Sequence, residues 1–175
     1  ISGVVQAESG RRSYQEFYKV QAILARTFAL SHLQKHVAEG FSLCDHTHCQ
    51  AYFGKTTELD IIKAVVETKD QVVVDDNLNL IEAAFHSNSG GQTANSEDVW
   101  GSKLSYLRSV NDSFSTKMPN ARWERKMAKE DWLSYLKLKH NYPIQDSNAR
   151  WLAITFKQDS RKLYLQANNV KVPLK

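Results

Sequence analysis

Hydrophobic side chains recur at helical spacing in the first part of the chain. In residues 14–38 they stand three or four positions apart and define a broad apolar face. Ser13 and Glu16 have the spacing of a capping box, and Gly40 supplies a stop, so the pattern predicts one long helix over 14–38. The apolar face consists of Phe17, Val20, Ile23, Leu24, Thr27, Phe28, Leu33 and Val37.

The same spacing predicts two further helices. Residues 57–68 form one, with Thr57 as its cap, and residues 129–139 form the other. Their inward side chains are Leu59, Ile62, Val65 and Val66 in the first and Trp132, Leu133, Tyr135 and Leu136 in the second.

The period changes to that of β-strands in two places, each around a turn-forming tripeptide. Each place predicts an antiparallel hairpin. The turns are Asp76-Asn77-Leu78 and Gln158-Asp159-Ser160, and the arms are residues 71–75 with 79–86 and residues 151–156 with 162–167.

The order of these elements predicts an α+β fold in which a long central helix packs against antiparallel hairpins. A chain of 175 residues with 42% hydrophobic content can bury one sizeable core, so we expect a single domain over residues 1–175. The strand-like run 170–175 is expected either to precede a missing C-terminal piece or to join a sheet edge, so truncation at one or both ends is expected. No apolar run reaches the roughly 20 residues that cross a bilayer, so any membrane anchor is expected in a segment outside this chain.

Charge is distributed unevenly along the chain. Residues 1–100 carry a net −5 and residues 101–175 a net +9. The basic part can bind a polyanion, such as nucleic acid or an anionic wall polymer, or the two parts can face each other across one fold. Because no RNA-reading or DNA-reading motif accompanies the basic part, we expect no nucleic-acid partner.

The most concentrated candidate chemistry is the run Cys44-Asp45-His46-Thr47-His48-Cys49. Thiolate and imidazole are the ligands that zinc prefers, and His32 and His36 stand close enough in sequence to complete a tetrahedral set. Two thiolates and two imidazoles leave no open position, so a zinc here would be structural. A Cys44–Cys49 disulfide, or two reduced thiols beside solvent-exposed histidines, are the alternatives.

A second candidate is the polar run at residues 86–93. Its serines, its Gly90-Gly91 pair and Gln92-Thr93 present hydroxyl and backbone N–H groups with little bulk, as the floor of a cleft for a sugar or a phosphate does. A tight structural turn is the alternative, because no complete phosphate loop or nucleophile elbow accompanies the run.

A third candidate is Glu8, which ends a small apolar segment before the long helix. A glutamate that is partly removed from water at such a place can donate a proton near neutrality. A glutamate in a solvated loop, the alternative, would not.

Four segments in this order resemble one known family and together cover about residues 3–110. They are Gly3-Val4-Val5 with Glu8, residues 19–30, Cys44-Asp45 with Thr47-His48-Cys49-Gln50, and residues 86–93 with 96–101 and Tyr106-Leu107. The family is that of stage II sporulation protein D, also called the SpoIID/LytB domain, whose members act on or bind peptidoglycan. The match beyond residue 110 is weak.

The resemblance implies an activity and a set of site residues. Catalytic members are lytic transglycosylases that cleave glycan strands lacking stem peptides, and their catalytic glutamate corresponds to Glu8. Arg26 and Tyr106 are expected to line the cleft, together with the loop residues Ser87, Ser89, Gly90 and Gln92. The resemblance also favours a structural zinc, with His46 as the competing ligand to the preferred set His36, Cys44, His48 and Cys49.

The chain departs from the family pattern at two places. Ser9-Gly10 follow Glu8 where the family has methionine and proline, and Phe28 stands where tyrosine is usual. Some members enhance amidases or bind wall polymers without cutting glycan, so a non-catalytic peptidoglycan-binding module that modulates a cell-wall amidase is the alternative. Either way the resemblance implies an exported protein of the cell envelope or periplasmic space, with glycan strands as its partner and no organic cofactor.

Overall fold

The computed structural model describes residues 1–122, 124–155 and 164–173, and the chain forms two compact units, Ile1–Phe85 and His86–Lys175. The described helices and one antiparallel strand pair confirm the α+β class, whereas the long central helix is not confirmed. None of the helices in these ranges is both long enough and apolar enough to cross a membrane. The elements are α1 Ser2–Ser9, α2 Gln15–Ser31, α3 Leu59–Glu67, α4 Ser96–Trp100, α5 Lys129–His140, α6 Ser147–Thr155, β1 Tyr164–Ala167 and β2 Val170–Pro173, with short 3₁₀ turns at Val37–Glu39 and Ser115–Lys117.

The first unit is built on three helices, with α2 packed against both α1 and α3. Small side chains allow this close packing, because Ala22 and Ala25 of α2 are fully buried. The predicted apolar face of α2 is wrong in part: Phe17 and Val20 were expected to be buried, but they are 46% and 54% exposed. The core residues shared by the three helices are Val5, Tyr18, Ala22, Ile61 and Ala64.

Helix α2 ends at Ser31, seven residues before the predicted end. The Ser31 hydroxyl donates to the Phe28 carbonyl at 3.0 Å, and His32 Nδ1 lies 3.1 Å from the same oxygen. These side chains offer the last turn an alternative to further helical hydrogen bonds. The predicted capping box is also absent, because the Ser13 N–H donates to the Tyr18 hydroxyl and no side chain caps the helix.

Residues 71–86 form the predicted turn but not the predicted pair of strands. The turn is closed by Asp75, and only one bridge, Val74 to Leu80, joins the two arms. Two backbone hydrogen bonds join the arms, from Asp75 to Asn79 and from Ile81 to Val73. The Val73 N–H, however, donates to the Thr27 hydroxyl of α2 at 3.0 Å, so a side chain of α2 takes a donor that the second arm would otherwise pair.

The second unit has its own core around α5, α6 and the strand pair. Leu133 and Leu136 are buried on α5, as the helical pattern predicts. Trp132 donates from its indole N–H to the Ala153 carbonyl of α6 at 2.8 Å. The buried members of this core are Leu133, Leu136, Tyr142, Ala149, Ala153, Ala167 and Val172.

The predicted hairpin of residues 151–156 and 162–167 is wrong. Residues 151–155 lie in α6, whose start is fixed by Asp146, since its carboxylate accepts the Ala149 N–H at 2.7 Å. Strand β1 instead pairs with β2, with Tyr164 opposite Pro173 and Ala167 opposite Val170. The strand-like run near residue 170 thus has β1 as its partner, and the predicted turn 158–160, with residues 156, 162 and 163, lies outside the described residues.

Candidate functional site

Two histidines and two cysteines of the first unit come together after the end of α2. The ligand atoms of His36, Cys44, His48 and Cys49 all lie within 4.8 Å of one another. His36 Nε2 is 3.3 Å from Cys49 Sγ, and His48 Nδ1 is 3.7 Å from Cys44 Sγ. We call these four residues the Cys/His cluster. They are the four residues that the family resemblance favours as zinc ligands.

Backbone contacts hold the loop that carries three of these residues. The Tyr52 N–H donates to the Asp45 carbonyl at 3.0 Å, which closes the loop over residues 45–52. Lys35 donates from Nζ to the His48 carbonyl at 2.7 Å and joins the loop to the turn after α2. The turn that follows the early end of α2 thus carries both Lys35 and His36, which contact this loop.

The pKa shifts in the Cys/His cluster differ in direction, and only that of Cys44 favours the form that binds a metal. Glu39 Oε1 lies 2.6 Å from His36 Nδ1, raises the pKa of His36 and leaves Nε2 directed at the sulfur of Cys49. The backbone N–H of His46 lowers the pKa of Cys44 to about 6, so its thiolate form is favoured at neutral pH. Burial raises the pKa of the Cys49 thiol.

The donor set fits a tetrahedral zinc. Zinc–sulfur bonds near 2.3 Å and zinc–nitrogen bonds of about 2.0–2.1 Å place sulfur and nitrogen ligands about 3.5 Å apart. The nitrogen to sulfur distances of 3.3 to 3.9 Å in the Cys/His cluster bracket that value. The carboxylate of Glu39 behind His36 matches the usual orientation of a metal-bound imidazole.

The alternative ligands lie outside the Cys/His cluster. The His46 side chain is 83% exposed, and its Nε2 is 3.3 Å from the Asp45 carboxylate. His32 stacks on Phe28, with 4.1 Å between the ring centroids. Both cysteines are free thiols, so the disulfide alternative is not formed.

Glu8 lies half-buried in the last turn of α1, a helix that the sequence pattern did not predict. Its Oε1 accepts the backbone N–H of Ala51 at 2.8 Å. Ala51 follows Cys49 by two residues, so the loop of the Cys/His cluster directly contacts this carboxylate. Glu8 is therefore held by a specific contact and does not lie in a solvated loop.

Gly3 allows α1 to lie this close to the same loop. It is buried, and a Cβ atom at this position would overlap the Gly54 carbonyl oxygen and the Tyr52 ring. Only glycine permits such an approach of helix to backbone. Gly3 and Glu8 thus fix the two ends of α1 against residues 51–54.

Arg26 lies on α2 and bonds to backbone of the first unit. Its guanidinium donates to the Gln71 carbonyl at 2.8 Å and to the Val65 carbonyl at 3.4 Å. These contacts join α2 to the end of α3 and to the segment that follows.

In the second unit, the Gly90-Gly91 turn rests on a network of polar side chains. The Ser89 hydroxyl donates to Asp112 at 2.7 Å and lies 2.6 Å from the Ser115 hydroxyl. The Gly91 N–H donates to both of these hydroxyls, and both glycines have positive φ. The Ser89 hydroxyl is buried in this network, whereas Gly90 lies at the surface.

A family model and individual relatives both relate this chain to proteins of sporulation and the cell wall. Residues 1–74 match the family model described as Stage II sporulation protein, a range that contains Glu8, Arg26 and the Cys/His cluster. The resemblance to the stage II sporulation protein D family is confirmed by this match. This part of the chain belongs to that family.

Relatives extend the similarity beyond residue 74. The chain is 32% identical over 130 residues to the amidase enhancer of Bacillus subtilis (strain 168), which covers 74% of this chain and 17% of that protein. It is 32% identical over 136 residues to stage II sporulation protein D of the same organism, with coverage of 68% and 39%. The protein of that name from Bacillus amyloliquefaciens is 30% identical over 135 residues. The chain thus spans less than half the length of these relatives.

The other residues that the family resemblance selects lie in the second unit. Ser87 and Gln92 are exposed, and Gln92 donates from its side-chain amide to the Ser109 hydroxyl at 3.1 Å. Tyr106 is partly exposed in the segment that follows α4. These three side chains are accessible to a ligand at the surface of this unit.

The acidic pair before Trp100 has a local structural role. Glu97 forms a two-pronged ion pair with Arg108, which lowers the pKa of Glu97 to about 2. The second carboxylate, of Asp98, accepts from the Asn95 side chain at 3.2 Å. Both acidic side chains of α4 thus have partners within the second unit.

Sequence reasoning missed three residues that support the candidate sites. Asp112 and Ser115 brace the glycine turn, and their spacing carries a local signal, since the Ser115 N–H donates to the Asp112 carboxylate. Gln50 is buried, and its amide donates to the Ala25 carbonyl of α2 at 3.2 Å. No pattern in the sequence marks that contact, because its two partners are 25 residues apart.

Proposed function

We propose that this chain is a lytic transglycosylase of the bacterial cell wall. Its substrate would be glycan strands of N-acetylmuramic acid and N-acetylglucosamine that lack stem peptides, with Glu8 as the single general acid and base. The observation that carries the proposal is the half-buried Glu8, held by the Ala51 N–H within the segment that matches the family.

The proposed reaction needs one carboxyl group and no water. Protonated Glu8 donates its proton to the glycosidic oxygen as the bond from the muramyl anomeric carbon to that oxygen breaks. The ionised carboxylate then accepts the proton of the muramyl C6 hydroxyl, while the C6 oxygen forms the new bond to the anomeric carbon. Because the substrate supplies its own nucleophile, the second carboxylate of a hydrolytic glycosidase is not required.

The Cys/His cluster would hold a structural zinc. When bound, zinc would supply a rigid cross-link between the turn after α2 and the loop that carries Ala51. All four positions would be filled by His36, Cys44, His48 and Cys49, so the ion would activate no water. The nitrogen to sulfur distances support this assignment.

Each unit would offer its own side chains to glycan. In the second unit, Ser87, Gln92 and Tyr106 are exposed and suited to hydrogen bonds or stacking with sugars. Gly90 would let a sugar approach the turn closely, while Ser89 would act by shaping the turn. In the first unit, Arg26 would contribute to glycan binding, although its guanidinium also holds two carbonyls.

The relatives support a cell-wall related role and an envelope location for the chain. Similarity to an amidase enhancer also favours a second candidate function, in which the chain binds peptidoglycan and modulates a cell-wall amidase. The two functions differ in whether the protein alone changes the glycan strand.

Digestion of purified peptide-free glycan strands distinguishes them. We expect the wild-type protein to produce anhydro-muramyl ends detectable by mass spectrometry, and Glu8→Gln to produce none. Glu16→Gln, a change at an exposed glutamate of α2, serves as the matched control and should retain activity. Anhydro ends produced by Glu8→Gln would remove Glu8 from the mechanism, and none from the wild type would favour the amidase-modulating function.

A further inference from the structure

The loop of the Cys/His cluster and the proposed catalytic carboxylate are joined by one hydrogen bond. The Ala51 N–H donates to Glu8 Oε1 at 2.8 Å. Glu8 Oε2 accepts no hydrogen bond from the residues that the structure describes. The contact therefore fixes one oxygen of the carboxylate and leaves the other available to a substrate.

The position of that N–H depends on what holds residues 49–51. On one side, Cys49 is buried in the cluster, with its sulfur 3.3 Å from His36 Nε2. On the other side, Gln50 is only 6% exposed, and its amide donates to the Ala25 carbonyl of α2 at 3.2 Å. Ala25 lies within α2, so this bond joins the Gln50 side chain to the backbone of the helix.

The buried amide of Gln50 joins the loop to α2. Isolated burial of an amide is unfavourable unless it is hydrogen-bonded, and the Gln50 amide has a partner on a rigid helix. The bond fixes the loop to α2 one residue before the donor that holds Glu8. Loss of the bond would free the peptide between Gln50 and Ala51 to rotate, with the neighbouring cluster intact.

We propose that Gln50 is a positioning residue for Glu8. By anchoring the loop to the Ala25 carbonyl, it orients the Ala51 N–H, and this N–H in turn orients the Glu8 carboxylate toward the substrate. The catalytic consequence rests on the proposed function, whereas the contact itself does not. Zinc in the Cys/His cluster and the bond from Gln50 to α2 would be separate anchors of the same loop.

The contact is tested without an activity assay by NMR of protein labelled with ¹⁵N at alanine. We expect the Ala51 amide proton to resonate downfield in the wild-type zinc-loaded protein and to move upfield in Glu8→Gln, because a charged acceptor is lost. Gln50→Met, which keeps the length of the side chain and removes the amide donor, should shift the same resonance in the same direction. Zinc content should stay at the wild-type level.

A matched control removes a buried hydrogen bond elsewhere in the first unit. The Thr68 hydroxyl, just after α3, is buried and donates to the Ala64 carbonyl at 2.8 Å, with the Val65 carbonyl at 3.4 Å, so Thr68→Val removes this bonding at the end of α3. We expect this variant to leave the Ala51 resonance in place. If Gln50→Met does not fold, Gln50→Asn, whose amide is too short to reach the carbonyl, is measured instead.

The catalytic consequence is a kcat effect. A small misorientation of a catalytic group can cost about 100-fold in rate, so Gln50→Met should lower kcat on glycan strands roughly 10- to 100-fold with KM little changed. Thr68→Val should retain both constants. An unshifted Ala51 resonance in Gln50→Met, or a shift of equal size in Thr68→Val, would overturn the proposal. If the Ala51 resonance shifts in Gln50→Met but the wild-type protein cuts no glycan, the proposed function is refuted and the positioning contact is still established.

Discussion

At the scale of single residues, backbone approach and charge pairing account for features that side-chain pattern alone does not reveal. Gly3 and Glu8 attach α1 to residues 51–54, although neither residue belongs to an amphipathic pattern. In the other unit, Arg108 forms an ion pair with Glu97. The Glu8 contact joins residues 43 positions apart in sequence, which composition and spacing do not specify.

Gly3→Ala should destabilise the first unit by about 1–3 kcal/mol, because its Cβ would overlap the Gly54 carbonyl and the Tyr52 ring. Urea unfolding followed by circular dichroism measures the loss. Gly40→Ala is the control, since Gly40 has a left-handed φ of +88° and nothing within 4 Å of an added Cβ, so it should cost only the backbone term of about 1–2 kcal/mol. A Gly3→Ala protein as stable as the wild type would show that α1 does not approach the loop this closely.

Glu97→Gln should lower the melting temperature at neutral pH and have less effect in acid. The ion pair with Arg108 lowers the pKa of Glu97 from 4.5 to about 2, so its stabilisation is complete above the unfolded value and disappears as the pH falls toward 2. Thermal unfolding of wild type and variant between pH 2 and pH 7 measures the difference. A difference that stays constant over this range would contradict the ion pair.

Among the helices and strands, the helical pattern of apolar residues predicts α5 well. Local hydrogen bonds made by side chains overturn the predictions for the end of α2 and for residues 151–155. Helix α5 lies where the pattern places it, with Leu133 and Leu136 buried. Residues 151–155, rich in apolar side chains, were predicted as a strand, but the Asp146 carboxylate starts a helix there. The residue types indicate metal-binding chemistry near Cys44 and Cys49, but the choice of His36 and His48 came from the family resemblance, and the Gln50 anchor was not visible in the sequence.

Asp146→Ala should destabilise the second unit by about 1 kcal/mol, because the Ala149 N–H at the start of α6 would lose its acceptor. Urea unfolding followed by the fluorescence of Trp132 and Trp151 reports on this region. Ser147→Ala, a change at the adjacent first residue of α6, is the control and should be nearly neutral. Equal stability of Asp146→Ala and wild type would show that α6 does not depend on this acceptor.

Cys49→Ser should reduce the zinc content of the purified protein well below one ion per chain, because it removes a thiolate from the Cys/His cluster. His46→Ala is the matched control and should keep the wild-type zinc content, since His46 lies outside the cluster. Elemental analysis of protein purified without added zinc measures both. Zinc lost from His46→Ala and retained by Cys49→Ser would contradict the ligand assignment.

At the scale of the whole molecule, the two compact units divide the residues that the family resemblance selects. Glu8, Arg26 and the Cys/His cluster lie in Ile1–Phe85. The polar run at residues 86–93 and Tyr106 lie in His86–Lys175. The sequence predicts both regions as candidate sites, because binding of sugars and of metal ions requires particular side chains, and both roles stay predictions. It could not predict that Ser89 is braced by Asp112 and Ser115, since that network forms only in the folded unit.

In the proposed reaction, Glu8 transfers a proton between two oxygens of the same glycan, and water takes no part. Digestion of peptide-free strands in H₂¹⁸O tests this reaction. We expect anhydro-muramyl ends without ¹⁸O, formed by the wild-type protein and by Glu16→Gln but not by Glu8→Gln. Reducing muramyl ends that carry ¹⁸O would show that water is the nucleophile and that the proposed reaction is wrong.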